Sequence, residues 1–238
     1  MLRFLSGRMN GKCWKFARVR LKLSHSIKWY CAEANSLPYN GRSQNCPLNN
    51  NLSNKCLHVN DLLWDDIMEQ LTTSRLVLRR FLETDRDCMI RILRNEEIGK
   101  TFMLPEFSDD SVAGRLFDRI LLNSQSDAHY ERAVCLDGQI IGFVNNVEIQ
   151  NNTIELGYVI HPDYQGRGYA TEALSASIQQ LFRLGYSVVR AGYFEENPAS
   201  GRVMEKSGMQ RVSKTEEIEY RGILHKCLYY EIKREEFQ

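Results

Sequence analysis

Gln165-Gly166-Arg167-Gly168-Tyr169-Ala170 is the stretch whose residue types and spacing read most directly as chemistry. It falls between a strand-like run and an amphipathic helix. Glycines at 166 and 168 leave no side chain to block the backbone and tolerate the dihedrals of a tight turn. Successive N–H groups at such a helix N-terminus converge on one spot, where the helix dipole also favours negative charge. That chemistry suits a phosphate or pyrophosphate. Arg167 either adds a contact to it or faces solvent. A dinucleotide fingerprint, G-x-G-x-x-G, fails at Thr171 and comes too late in the chain, after antiparallel strands. A Walker loop fails because no Gly-Lys-Ser/Thr follows.

The elements that must position this turn are legible on both sides of it. Thr153 to Ile160 alternates, with Ile154, Leu156, Tyr158 and Ile160 on one face and Glu155, Gly157 and Val159 on the other. Pro162 ends that strand. Apolar residues at Ala170, Leu174, Ile178, Leu181 and Phe182 predict a helix that Gly185 ends. Ser187 to Phe194 reads as a strand. Asn197-Pro198 opens another helix, with Asn as cap and Pro at the first position, and Gly208 ends it. Glu172, in the first turn of the phosphate-turn helix, suits a dipole or capping role better than catalysis.

Further out, Arg75 to Phe81 reads as a first strand and Asp85 to Leu93 as a helix capped by Thr84 or Asp85. Asp109 to Leu122 is a second helix, capped by Ser108 or Asp109. Tyr130 to Leu136 and Gln139 to Val147 form a hairpin through Asp137-Gly138. Cys227 to Lys233 is a last strand. The order βααβββαβα with further strand predicts an α/β fold, a mixed and mostly antiparallel sheet flanked by helices.

These blocks, in this order over about residues 70–235, resemble the GNAT N-acetyltransferases, and among them the ribosomal-protein N-terminal alanine acetyltransferases. The family's phosphate loop, Gln/Arg-x-x-Gly-x-Gly/Ala, is matched at 165–170 and followed by Thr171-Glu172-Ala173. Glu155-Leu156-Gly157-Tyr158 resembles the strand before it. Asn197-Pro198-Ala199-Ser200 and Glu205-Lys206-Ser207-Gly208-Met209 resemble the helix after the next strand. The resemblance implies the acyl-CoA N-acyltransferase fold, with acetyl-CoA as co-substrate and no metal. The acceptor it implies is a primary amine, on a protein N-terminus or a small molecule. Its cofactor-binding positions are Gln165 to Ala170, Asn197 for the pantetheine arm, and a backbone N–H of Val159 or Ile160 for the thioester oxygen.

An alkyl ammonium must lose a proton before it attacks a thioester. Glu155 is the candidate base, directly or through water; a solvated strand carboxylate is the alternative. Many relatives place a Tyr acid where this chain has Met204, which cannot donate. Ser200 is the nearest replacement, unless it only serves local backbone. Tyr158, Tyr193 and Phe194 read as core aromatics, and His129 and His161 as ordinary loop and strand residues. No cysteine sits beside a base in these blocks, which favours direct transfer in a ternary complex. A non-catalytic acyl-CoA-binding regulatory domain is the rival reading: Met204 fits it, and Glu155 and Ser200 argue against it. Acceptor specificity is expected in the region 85–125 and the terminal strands.

Composition fits a globular chain: 238 residues, 43% hydrophobic, 26% charged, net charge +1, and no apolar run long enough to span a membrane. Nothing in that balance calls for a nucleic acid or membrane partner; a monomer or homodimer is expected. The charge is uneven. Residues 1–67 carry ten basic and four acidic residues, net +6, leaving about −5 on the rest. This segment has weak periodicity and an Asn-rich stretch near 45–54. It reads as a basic extension, disordered or outside the native protein, with an organellar transit peptide as the other reading. The domain start falls at Met68. Seven cysteines, an odd number without a CxxC pair, and no clear secretory signal favour inert thiols in a reducing, cytoplasmic setting.

Overall fold

In the computed structural model the chain divides into two compact units, Met1–Asp66 and Ile67–Gln238. Residues 70–237 are described in full; before them, the backbone of three strands is described. Those strands, β1 (Arg3–Met9), β2 (Lys12–Arg18) and β3 (Tyr30–Ala32), form an antiparallel sheet in that order. The readings of residues 1–67 as disordered, non-native or a transit peptide otherwise lie outside the described residues.

The second unit is built on one eight-stranded sheet in the order β10-β11-β9-β8-β7-β6-β5-β4. Its strands are β4 (Leu71–Thr72), β5 (Leu76–Arg79), β6 (Glu131–Leu136), β7 (Gln139–Gln150), β8 (Thr153–Ile160), β9 (Val188–Phe194), β10 (Gln210–Tyr220) and β11 (Ile223–Lys233). Only β8 and β9 pair in parallel, across a helical crossover; every other neighbour is antiparallel. Three hairpins turn on two residues each, at Asp137-Gly138, Asn151-Asn152 and Arg221-Gly222, and all six have positive φ. That geometry matches the right-handed twist of the flanking strands, and Asn, Asp and Gly accept it at least cost.

Helices cover both faces. α1 (Arg86–Leu93), α2 (Glu96–Thr101) and α3 (Asp110–Ser124) lie on one; α4 (Tyr169–Leu184) and α5 (Pro198–Lys206) lie on the other. The first layer packs Met89, Ile98 and Phe117 against Ala133, Ile140, Phe143 and Val159. The second packs Leu174, Ile178 and Met204 against Ile154, Leu156, Ile160 and Ile232. Strand β8 therefore feeds a core on each side, because alternate residues face opposite ways. No helix among the described residues is long and apolar enough to cross a membrane.

Three local expectations need correction. Asp85 precedes α1, yet its side chain makes no cap bond. Its carboxylate is taken by Arg79 (2.7 and 2.9 Å) and by the Leu82 N–H (2.7 Å), which ties β5 to the turn before α1. Asn197 likewise stands at the start of α5 without a side-chain cap bond; its carbonyl accepts from Ser200 N–H instead. Strand β10 was not legible because it is a charged edge strand, with Lys214, Glu216, Glu217 and Glu219 along its length. Such charges blunt an unpaired edge and erase the apolar alternation that marks a strand.

Candidate active site

The turn begins where β8 ends. Gln165 follows the short 3-10 turn Pro162–Tyr164, and its side-chain amide donates to the Ile160 carbonyl (2.8 Å), folding back onto the strand. Gly166 (φ 74°) and Gly168 (φ 83°) both occupy the left-handed region, which a side chain would strain. A Cβ on Gly166 would touch nothing within 4 Å, so the dihedral, not crowding, requires glycine there. Gly168 is the residue before α4, and Tyr169 and Ala170 open the helix. The Arg167 side chain is exposed. The N-terminus of a 16-residue helix thus lies at the surface, preceded by two glycines. Backbone donors and helix dipole fit an oxyanion there.

Three residues the sequence reading passed over hold this turn from behind. Glu172 in the first turn of α4 accepts from the Thr73 hydroxyl (2.5 Å), the Ser74 hydroxyl (3.0 Å) and the Arg75 N–H (3.0 Å). Arg75 Nε donates to its other oxygen (2.7 Å). Burial alone would raise the Glu172 pKa, but the bonds from Thr73, Arg75 and Ser74 outweigh it and lower the pKa. Polar residues opening a strand, nearly a hundred positions before their partner, carry no local signal that could have revealed this.

Between β8 and β9 the sheet opens. Their parallel register runs from Thr153↔Val188 to Leu156↔Ala191 and stops, although β8 continues to Ile160 and β9 to Phe194. On its other side β8 stays paired to β7 as far as Ile160. His161 N–H donates to Ile141 of β7, whereas the Asn152 carbonyl accepts from Ser187 on the β9 side. Backbone groups alternate sides along a strand. The N–H groups of Tyr158 and Ile160 therefore face the opening, and that of Val159 faces β7. Of the two expected oxyanion donors, Ile160 is the one turned to the gap. The Val159 side chain is buried in the α1–α3 core.

Glu155 and Ser200 approach this gap from opposite faces of the sheet. Glu155 sits on the α1–α3 face, its side chain only 12% exposed. Arg190, its register partner on β9, comes no closer than 3.9 Å and directs its guanidinium to Glu231 (2.7 Å). Burial raises the Glu155 pKa, against the opposing pull of Lys214 and Arg190. Ser200, in the first turn of α5, lies on the other face. Its Oγ is 2.7 Å from the Tyr158 hydroxyl, which also donates to the Ser200 carbonyl (2.9 Å). Tyr158 is thus more than the core aromatic its alternation suggested. Burial raises its pKa, so the phenol keeps its proton at neutral pH. Met204 is fully buried in the α4–α5 core.

The expected specificity regions also meet. The Tyr220 hydroxyl, at the tip of the β10–β11 hairpin, lies 2.8 Å from the Gly99 carbonyl and 3.2 Å from those of Phe102 and Leu104. It also accepts from the Leu104 N–H (3.3 Å). The hairpin is thereby pinned to α2 and the loop after it, on the face that carries Glu155. Helix α2 itself was not expected. Its signal was Asn95 before Glu96-Glu97, and the Asn95 side chain does cap it through Ile98 N–H (3.2 Å).

Comparison with known proteins agrees with this architecture. The chain is 26% identical over 185 residues to the uncharacterized N-acetyltransferase YnaD of Bacillus subtilis (strain 168), covering 70% of this chain and 98% of that protein. Its fold matches a GNAT-family acetyltransferase from Bacillus anthracis with a TM-score of 0.62 at 24% identity, over 70% of this chain and 99% of that one. It also matches RimL, a ribosomal L7/L12 alpha-N-protein acetyltransferase in complex with coenzyme A. That TM-score is 0.64 at 17% identity, over 69% of this chain and 98% of RimL. The family model for the acetyltransferase (GNAT) domain matches residues 75–210, more than half of the chain, a span that takes in the turn, the strand gap, Glu155 and Ser200. The chain belongs to the GNAT family and is an acetyltransferase.

Proposed function

We propose that the chain moves an acetyl group from acetyl-CoA to a primary amine by direct attack in a ternary complex. The observation that carries this reading is the parting of β8 from β9 at Leu156↔Ala191, immediately before the Gln165–Ala170 turn. A strand edge with unpaired groups suits an extended arm bearing amides, which adds to it as a further strand would. The turn beyond suits the pyrophosphate at the arm's far end. Pantetheine and pyrophosphate in that order make CoA. Asn197, just beyond the end of β9 at Phe194, is the candidate for the arm, and the exposed Arg167 the candidate for a phosphate.

The thioester then lies in the plane of the sheet, reachable from both faces. The amine arrives on the α1–α3 face, where Glu155 removes a proton directly or through water. A carboxylate whose pKa burial raises is the better base for that step. The amine nitrogen bonds to the thioester carbon, and the oxygen takes up negative charge against Ile160 N–H. The carbonyl reforms as the C–S bond breaks, and the second proton of the attacking nitrogen passes to the departing thiolate, so that the products are the amide and the CoA thiol. Ser200 is the candidate donor to that sulfur from the opposite face. The Tyr158 phenol, which donates to the Ser200 carbonyl, lies 2.7 Å from Ser200 Oγ and so holds the serine in position. The acceptor is a protein N-terminus or a small-molecule amine, and the fold shared with RimL makes the former the first to try.

Free-thiol release from acetyl-CoA over a panel of peptide N-termini, polyamines and amino acids tests this. Amine-dependent release with at least one acceptor class is expected. Tight CoA binding without any amine-dependent release would instead mark a binding domain.

A further inference from the structure

The segment Thr73-Ser74-Arg75 between β4 and β5 is joined to the phosphate turn by contacts that the acetyl-transfer chemistry does not use. The Arg75 guanidinium has three partners. Nε and Nη2 fork onto Glu172 Oε2, each at 2.7 Å. Nη1 donates to the Arg167 carbonyl (2.9 Å). The guanidinium also lies over the Tyr169 ring, 4.5 Å from its centroid. Arg75 is about half exposed, so a single ion pair there would count for little. A fork, a backbone bond and a ring stack on one planar group do more, because each fixes the geometry of the next.

The consequence lies in the peptide plane. The Arg167 carbonyl and the Gly168 N–H belong to one planar trans unit and point opposite ways. Pinning the carbonyl towards Arg75 aims the Gly168 N–H away from it, to the outer side of the turn. Glu172 would otherwise place a negative charge in the helix turn meant for an anion. Its carboxylate is instead turned back onto Thr73, Ser74 and Arg75. We infer that Arg75, locked by Glu172, is a positioning residue for the donor's phosphates: it sets the 167–168 peptide so that the turn binds pyrophosphate. This rests on the reading of the turn as a CoA pyrophosphate site. The thioester arm, held at the strand gap, does not depend on it.

Calorimetry with CoA and with pantetheine, which has the arm without the phosphates, separates this role from a general contribution to folding. It needs no acetyl transfer, so a failed amine panel leaves the test standing. The wild-type chain is expected to prefer CoA. In Arg75→Ala, and separately in Glu172→Gln, which keeps the side chain's size, that preference falls about tenfold. A variant that weakens both ligands in proportion leaves the ratio unmoved, and so overturns the proposal. So does a wild-type chain with no preference for CoA over pantetheine.

Discussion

Glu155 gives up its proton at higher pH than an exposed carboxylate, because burial outweighs the attraction of Lys214 and Arg190. Arg190 forms no close pair with it: its guanidinium is committed to Glu231 at 2.7 Å and lies 3.9 Å from Glu155. If Glu155 is the base, Glu155→Gln lowers kcat by about 10²-fold or more. The Kd for acetyl-CoA, read by calorimetry, moves little. The pH profile gives a second reading. A base works only when deprotonated, so kcat/KM in the wild-type chain rises with pH through a pKa above the usual carboxylate value, and Glu155→Gln lacks that limb. Wild-type turnover with an unchanged profile would remove Glu155 from the reaction. Tyr158 and Ser200 show the limit of reading residues singly. Period 2 put Tyr158 on the core face, correctly, but its hydroxyl reaches Ser200 only because α5 packs over that face.

At the scale of elements, the β10–β11 hairpin is the part that tertiary contact holds in place. Its outer strand is charged and largely exposed. Its tip is fixed by one phenol, Tyr220, whose oxygen meets the backbone of Gly99, Phe102 and Leu104. Tyr220→Phe keeps the ring and removes that junction. Initial-rate kinetics should show the acceptor KM rising about threefold to tenfold, with the acetyl-CoA KM unchanged, since a half-buried bond of this kind contributes about 1 kcal/mol. An equal rise in both would place the hairpin's role at the donor instead. The strands and helices that carry strong periodicity, β8, α4 and the Asp137-Gly138 hairpin, were legible from local pattern alone. Helix α2 and strand β10 were not: α2 is six residues long, and β10 replaces apolar alternation with charge.

For the whole second unit, Glu131 sets a pH dependence of stability. It begins β6, is buried, and has its pKa pushed up to about 7, by burial first and against the pull of Asn123 and Arg132. Unfolded, it titrates near the usual 4.5. Between those values the folded chain binds a proton that the unfolded chain releases. Stability therefore falls as pH rises from 4.5 towards 7 and stays lower above it, by on the order of 3 kcal/mol at most. Glu131→Gln removes that cost. Its Tm should exceed the wild-type value by roughly 5 °C at pH 8, and the gap should close near pH 4.5. A gap independent of pH would show that the carboxylate's charge is not what the fold opposes.

By itself the sequence determined which chemistry the chain carries in local form. Gly166 and Gly168 at the start of α4, the alternation of β8 and the Asn197-Pro198 helix start are short-range patterns, because dihedral preference and side-chain period act over a few residues. They sufficed for the fold class and for the glycine turn that opens α4. The tertiary structure alone decided how these pieces face each other. It parted β8 from β9 at Leu156, turned Ile160 rather than Val159 to the gap, and put Glu155 and Ser200 on opposite faces. It brought Arg75 against a turn nearly a hundred residues away. Strand register and helix packing are set by contacts between distant segments, and no local pattern encodes them.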